Sequence, residues 1–211
     1  MRRPASSEYD PPFGSGAVSP AEAEAFEAIR ERFREAARPY LASPWTWLTW
    51  GLVLPAAALA TPAAARAWGL SGVLLLWSGA ILAGGAVEAG SMMRRGTGSS
   101  PIAAWALRVQ GNLSLVAVAL SAVLVVADEA WALPGLWLLL LGHCFFSLGG
   151  LSEPLLRRYG LAYQVGGVAS LAAHSGALPV FAVTAALANL GLALALWLRR
   201  RAQVRPQSGS R

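Results

Sequence analysis

Charged residues and cysteine are scarce in this chain of 211 residues. Only 13% of the residues are charged, whereas a soluble domain usually carries about 25%, and 55% are hydrophobic. The single cysteine, Cys144, cannot form an intrachain disulfide, which argues against a disulfide-stabilised scaffold. Lysine is absent, so all 17 basic residues are arginine, a composition that suggests a GC-rich bacterial genome. These proportions argue against a soluble or disordered protein and favour a helical membrane protein.

Motifs for catalysis and cofactor binding are also missing from the sequence. There is no Walker-type phosphate loop, no H-E-x-x-H pair and no G-x-S-x-G elbow. His143 and His174, the two histidines, are expected at different depths in the membrane, so they do not suit a bis-histidine haem. We therefore predict no cofactor and no metal site, and an intramembrane enzyme is the least favoured class of function.

The N-terminal region predicts a tail followed by an amphipathic helix. Residues 1–18 are rich in Pro, Gly and Ser and are expected to be disordered. Ser19, Pro20 and Glu22 form a capping box with proline at the first helical position. We expect a cytoplasmic helix within 19–42, lying on the membrane surface or docked on the bundle. Its apolar stripe consists of Phe26, Ile29, Phe33, Ala37 and Tyr40.

Six apolar segments follow within a transmembrane domain at 43–200, and a basic cytoplasmic tail occupies 201–211. A membrane-spanning helix needs roughly 20 apolar residues. The predicted fold class is therefore all-α, a polytopic membrane protein with six transmembrane helices. The segments are 45–62, 68–90, 101–127, 131–152, 159–176 and 178–198.

Arginine positions predict the topology. With the N-terminus in the cytoplasm, arginine-rich loops alternate with arginine-poor ones, as the positive-inside rule requires. Arg66 is the one arginine on the outer side, and the third loop carries Asp128 and Glu129 instead. We expect a multi-pass protein of a bacterial inner membrane with both termini in the cytoplasm. The inner-side arginines are Arg2, Arg3, Arg30, Arg32, Arg34, Arg38, Arg94, Arg95, Arg157, Arg158, Arg199, Arg200, Arg201, Arg205 and Arg211.

Two parts of the chain resemble each other when the sequence is aligned with itself so that Trp68 meets Trp131. In the same alignment the pair Arg94–Arg95 meets Arg157–Arg158. The shared features predict a parallel duplication of a two-helix hairpin, made of the second and third spans and of the fourth and fifth. The alternative is an accidental likeness between spans that are rich in leucine and glycine.

Glycines recur every seven residues on two predicted spans. Seven residues are nearly two helical turns, so each set lies on one helix face, where small residues let helices approach closely. We expect these glycines to serve helix packing rather than ligand binding. They are Gly72 and Gly79 on the second span, and Gly135, Gly142 and Gly149 on the fourth.

Three charged residues are predicted at similar depth near the cytoplasmic side, and Asn112 shares the helix face of one of them, Arg108. Glu88 and Glu153 end two spans, and Arg108 lies about two turns into a third. Because Arg108 at that depth needs a carboxylate, we expect it to pair with Glu88 or Glu153, with Asn112 assisting. In the structural interpretation, the pair clamps two helices together, or Arg108 extends its side chain to the membrane interface. In the functional interpretation, the cluster is a gate or a substrate site that faces the cytoplasm.

Other polar residues within spans have simpler interpretations. His143 is predicted to be a hydrogen-bonded core residue, with a proton relay or a ligand in a dimer as alternatives. Interhelical hydrogen bonds account for Gln110, Gln164 and Asn189.

The sequence leaves the class of function open. We favour a non-catalytic accessory or scaffold component of a membrane complex, because the loops are short and no catalytic group is evident. A small transporter or channel that uses the Glu/Arg cluster is the alternative. Expected partners are the lipid bilayer and either other subunits or further copies of the chain. Nucleic acid is not expected, because the arginines flank apolar segments.

Overall fold

The computed structural model describes residues 19–41, 43–94, 101–151 and 154–204, and these form six α-helices and two short 3₁₀ turns. No strand occurs in these ranges, which confirms the all-α class. The predicted tail at 1–18, Arg95, Glu153 and residues 205–211 lie outside the described residues. The helices are α1 Pro20–Leu41, α2 Pro44–Met93, α3 Pro101–Val126, α4 Leu133–Leu151, α5 Pro154–Ala173 and α6 Ala177–Val204.

Helix α1 begins at the capping box expected from the sequence. Ser19 N donates to Glu22 Oε2 at 2.9 Å, and Glu22 N donates to Ser19 Oγ at 3.3 Å. Ion pairs between Glu27 and Arg30 and between Glu31 and Arg34 follow along the helix. The helix contacts α2, α3 and α4, so it docks on the bundle.

Helix α2 is broken at Gly69 into two antiparallel halves. Gly69 has φ 59° and ψ −148°, a conformation that glycine adopts without a steric penalty. The halves α2a (44–68) and α2b (70–93) fold back on each other, since Trp77 Nε1 donates to Thr61 Oγ1 at 3.0 Å. The first span was predicted to end at residue 62, but the helix continues to the break. Pro62 does not end the helix, and Arg66 lies in the last turns of α2a rather than in a loop.

Two further hairpins follow the hairpin of α2, one made of α3 and α4 and the other made of α5 and α6. Asp128, with φ 62°, and the 3₁₀ turn Ala130–Ala132 join α3 to α4. The 3₁₀ turn His174–Gly176 joins α5 to α6. Helix α5 begins at Pro154, before the predicted residue 159, because proline suits the first turn of a helix and the exposed Arg157 and Arg158 are tolerated at its end.

Four helical stretches of the described chain are long and apolar enough to cross a membrane. They are Pro44–Met93, Arg108–Val126, Ala130–Gly149 and Pro154–Ala202. The first and last contain the break at Gly69 and the turn His174–Gly176. The predicted six spans and the predicted duplication are not confirmed by this count.

The helices pack side by side in an order that places α2 and α3 at opposite ends of the row. Helix α2 packs on α6, α6 on α5, α5 on α4, and α4 on α3, while α2 and α3 have at most marginal contact over the described residues. The core contains Ala58, Leu138, Tyr163, Phe181 and Ala185, which are almost fully buried. An opening therefore separates α2 from α3.

Candidate functional site

A cavity of about 1400 Å³ lies within the bundle and reaches from one end to the other. At one end, called the Gly69 end, Gly69, Trp131 and His174 line it. At the opposite end, called the Glu88 end, Glu88 and Gln110 line it. The volume exceeds the roughly 300–1,000 Å³ of most small-molecule pockets. The cavity can thus hold a long or bulky molecule.

Tryptophans with satisfied N–H groups make much of the wall apolar. Trp77 Nε1 donates to Thr61 Oγ1 at 3.0 Å, and Trp137 Nε1 donates to Ser121 Oγ at 3.1 Å. Each hydroxyl donates in turn to the carbonyl four residues earlier, at Ala57 and Ala117 respectively. Because the indole N–H groups have partners within the wall, they do not require water or a ligand.

The same arrangement of alanine, hydroxyl and tryptophan occurs twice along the chain. Thr61 and Trp77 belong to the hairpin of α2, and Ser121 and Trp137 belong to the hairpin of α3 and α4. In both hairpins the tryptophan follows its hydroxyl partner by 16 residues. The wall is therefore built from two similar hairpins.

Aromatic contacts and one buried amide hold the wall in place. Trp77 packs edge-on against Phe181, with ring centroids 5.7 Å apart. Phe145 packs in the same way against Tyr163 at 5.6 Å. Asn189 Nδ2 donates to Tyr163 Oη, which confirms the interhelical hydrogen bond expected for this asparagine. These contacts connect α2, α4, α5 and α6 behind the cavity.

The side chain of Glu88 is positioned by a hydrogen bond from Trp50, whose ring packs against Gly84. Gly84 lies one turn before Glu88, and a Cβ at that position would lie 2.5 Å from the ring of Trp50. The absent side chain thus gives the indole a place against α2b. From there Trp50 Nε1 donates to Glu88 Oε2 at 3.1 Å. The carboxylate is half-buried and lines the cavity.

Gln110 lines the cavity at the same depth as Glu88. Glu88 lies 19 residues after the break at Gly69, and Gln110 lies 19 residues before Glu129 in the turn after α3. With a helical rise of about 1.5 Å per residue, both lie about 28 Å from the Gly69 end. This distance is close to the hydrocarbon thickness of about 30 Å. The polar end of the cavity is therefore expected near one boundary of the bilayer.

The residues predicted to form a Glu/Arg cluster do not all meet. Arg108 and Asn112 are exposed on α3 and are not among the cavity-lining residues. Among the described residues no ion pair joins Arg108 to Glu88, which accepts from Trp50 instead. Glu153 lies outside the described residues, so its pairing with Arg108 stays a prediction.

The two histidines occupy different environments. His143 is exposed on α4, so it is not a core residue of this chain. His174 lines the cavity at the Gly69 end, where its ring centroid lies 4.1 Å from that of Trp131. Within the described ranges no group of three or more His, Cys, Asp and Glu residues could hold a metal ion.

The glycine stripes differ in their surroundings. Gly135, Gly142 and Gly149 lie against α5, so an added Cβ at Gly142 would lie 2.8 Å from the carbonyl oxygen of Gly160. Gly72 lies against Ala64 and Trp68 within its own hairpin, and Gly79 has nothing within 4 Å of an added Cβ. Glycine thus brings α4 and α5 close together and leaves one face of α2b open.

Several residues of the site were not anticipated from the sequence. Gly160 and Gly167 on α5 complete the contact with α4, and their spacing of seven residues is the same signal as on α4. The sequence also contains the 16-residue spacing from Thr61 or Ser121 to a tryptophan, but this spacing becomes informative only when the hairpin turns are known.

No protein-family model, curated protein or solved structure matches the chain.

Proposed function

We propose that the protein is a small membrane carrier that takes a hydrophobic or amphipathic molecule from the bilayer into the cavity between α2b and α3. The observation that carries this proposal is the cavity, which runs between the two ends of the bundle and is mostly apolar. Because α2 and α3 make at most marginal contact over the described chain, a lipid-soluble molecule can enter from the side.

The lining favours such a ligand over an ion or a polar solute. A hydrated ion would lose its water shell to walls such as Leu74, Trp77 and Trp137, which offer no replacement ligands. An aqueous channel is therefore disfavoured. A hydrophobic molecule loses no hydrogen bonds there and buries its surface against aromatic rings.

We further propose six membrane crossings in a bacterial inner membrane, with the Glu88 end in the cytoplasm. Six described arginines at the ends of α2, α5 and α6 lie on that side and only Arg66 lies on the other, which fits the positive-inside rule. The test uses single cysteines at Arg94 and Ser175 in a Cys144→Ala background. A membrane-impermeant maleimide should label Ser175→Cys from the outside and Arg94→Cys only from the inside. The arginines at the Glu88 end are Arg94, Arg157, Arg158, Arg199, Arg200 and Arg201.

Binding is tested with the neutral lipophilic dye N-phenyl-1-naphthylamine and the protein in nanodiscs. Energy transfer from the cavity tryptophans to the dye should saturate and should be competed by an excess of non-fluorescent lipophile. Narrowing the cavity with Ser114→Phe and Ala122→Phe together should weaken binding, because both positions line it. The matched control, Leu115→Phe with Val123→Phe, changes exposed positions of α3 outside the lining.

Carrier activity predicts more than static binding. A carrier alternates between states that are open to opposite sides, and its ligand shifts their populations. Maleimide labelling of Ser91→Cys at the Glu88 end and of Ser175→Cys at the Gly69 end should then change in opposite directions when the dye is added. If energy transfer from the tryptophans to the dye does not saturate and is unaffected by the cavity variants, the binding site is refuted. Equal changes at the two cysteines would refute alternating access.

An accessory or scaffold subunit is the second candidate, favoured by the lateral face of α3. Among the described α3 side chains only Ala117 is buried, and an added Cβ at Gly111 would meet nothing within 4 Å. Small residues on an exposed helix face suit close packing of another helix. Native mass spectrometry of the protein from its own membranes in mild detergent tests this function. A different polypeptide in fixed ratio would support it, and the bare 22.0 kDa chain or its multiples would count against it.

A further inference from the structure

We infer that the ligand of the cavity is a lipophilic cation, whose positive charge is held by Glu88 and the neighbouring tryptophans. This inference rests on the proposed function, because it names the class of molecule that the carrier would take. It starts from the charge of the lining. Among the described lining residues Glu88 is the one acidic residue, and none is an arginine.

The carboxylate of Glu88 lacks a cationic partner in the described part of the chain. Its contact there is the hydrogen bond from Trp50 Nε1 at 3.1 Å. A carboxylate offers about four lone-pair sites, so one indole N–H leaves most of this capacity unused. Arg94 is exposed and six residues further along the helix, beyond the spacing of three or four that brings side chains together. A charge in such surroundings is costly unless an opposite charge compensates it.

Aromatic rings near the carboxylate favour the same class of ligand. Trp47 and Trp50 line the cavity at the Glu88 end, one helical turn apart on α2a. The face of a tryptophan ring attracts a cation through its quadrupole, and aromatic cages recognise quaternary ammonium groups in this way. A carboxylate beside such rings attracts cations and repels anions, so it selects by the sign of the charge.

The rest of the cavity accommodates the apolar part of the molecule. Trp77, Trp137 and Phe181 line it between the two ends, and both tryptophan N–H groups are already bonded within the wall. At the depth of Glu88, Gln110 contributes an amide that can accept from an ammonium group. The lining therefore combines one anionic end with a long apolar body, which complements a molecule with a cationic head and a hydrophobic body.

The test compares two probes of nearly equal shape and opposite charge, tetraphenylphosphonium and tetraphenylborate. Equilibrium binding to the full-length protein in nanodiscs of neutral lipid is measured for each probe, with the neutral dye N-phenyl-1-naphthylamine as a reference. We expect saturable binding of the cation and roughly tenfold or greater weakening by Glu88→Gln, the size expected when an interaction with a charged group is lost. The glutamine keeps an oxygen that can accept from Trp50 Nε1, so we expect the variant to fold.

Two controls make the result specific to the site. Glu24→Gln removes a carboxylate from the exposed surface of α1 and should leave binding of the cation unchanged. Binding of the neutral dye should be equal in the wild type and in Glu88→Gln, which also shows that the variant is folded. The inference is overturned if the neutral dye binds saturably while the cation is not preferred over the anion, or if Glu88→Gln leaves cation binding unchanged. If none of the three probes binds saturably, the proposed function itself fails.

Discussion

Replacing Gly142 by alanine tests how closely α4 and α5 approach. The added Cβ would lie 2.8 Å from the carbonyl oxygen of Gly160 and 2.8 Å from the backbone nitrogen of Gln164. Because both are backbone atoms, no change of rotamer relieves the contact and the helices must move apart. Overpacking of this kind costs about 1–3 kcal/mol, whereas alanine gains roughly 1 kcal/mol in helix propensity over glycine. We therefore expect a net loss of up to about 2 kcal/mol in the free energy of unfolding.

Gly79→Ala is the matched control, since nothing lies within 4 Å of a Cβ added there. It should gain up to about 1 kcal/mol from helix propensity alone. Reversible unfolding in mixed micelles of dodecyl maltoside and sodium dodecyl sulfate, followed by tryptophan fluorescence, measures both variants. Gly142→Ala should unfold at a lower fraction of dodecyl sulfate than the wild type, and Gly79→Ala at the same or a higher one. If Gly142→Ala is as stable as Gly79→Ala, the close contact of α4 and α5 is refuted.

Three further predictions concern hydrogen bonds. Thr61→Val removes the acceptor of a tryptophan N–H and should lower the unfolding free energy by about 1 kcal/mol in the same assay. Asn189→Leu leaves the buried Tyr163 hydroxyl without its donor and should cost about 1–3 kcal/mol. Hydrogen bonds from the backbone and side chain of Ser19 hold the pKa of Glu22 below its ordinary value. The α1 cap should therefore be complete above that ordinary pKa and be lost as the pH falls through the lowered value, which hydrogen exchange of the first-turn amides would detect.

Each of these predictions has a control in the chain. The Thr49 hydroxyl also donates to the carbonyl four residues earlier, but among the described residues no tryptophan N–H donates to it. Thr49→Val should therefore cost less than Thr61→Val. Asn112 is exposed, and Asn112→Leu should be tolerated better than Asn189→Leu. Glu22→Gln should remove the pH-dependent change in protection of the first-turn amides of α1, measured after correction for the intrinsic pH dependence of amide exchange. Equal effects of variant and control, or an unchanged pH profile, would contradict the corresponding contact.

Local signals predicted some helix ends well. The capping box marked the start of α1 at Pro20, and the predicted segment 101–127 closely matches α3, Pro101–Val126. The start of α5 was placed too late, because the adjacent Arg157 and Arg158 were interpreted as a loop. Charges at the rim of a bundle can belong to a helix, so an arginine pair indicates the end of the apolar segment rather than the end of the helix.

The internal likeness shows why contacts cannot be obtained from letters alone. The alignment of Trp68 with Trp131 depended on shared signals near turns. The structure instead repeats a hydrogen bond in a different alignment, in which Thr61 corresponds to Ser121 and Trp77 corresponds to Trp137. A threonine and a serine do not align as identical letters. Their common function as acceptors for a tryptophan appears only when the antiparallel partner is known.

The cavity could not have been predicted from hydropathy, because cavity-facing and lipid-facing side chains are equally apolar in a membrane protein. Leu74 lines the cavity and Leu75 does not, although the residues are neighbours of the same type. A charged side chain differs, since its cost in lipid restricts it to the helix ends or to the bundle interior. Glu88 could therefore be selected from the sequence as a candidate, but its expected partner Arg108 is exposed elsewhere on the bundle. The carboxylate that was expected to clamp two helices is thus left facing a cavity, where the opposite charge can come from a ligand.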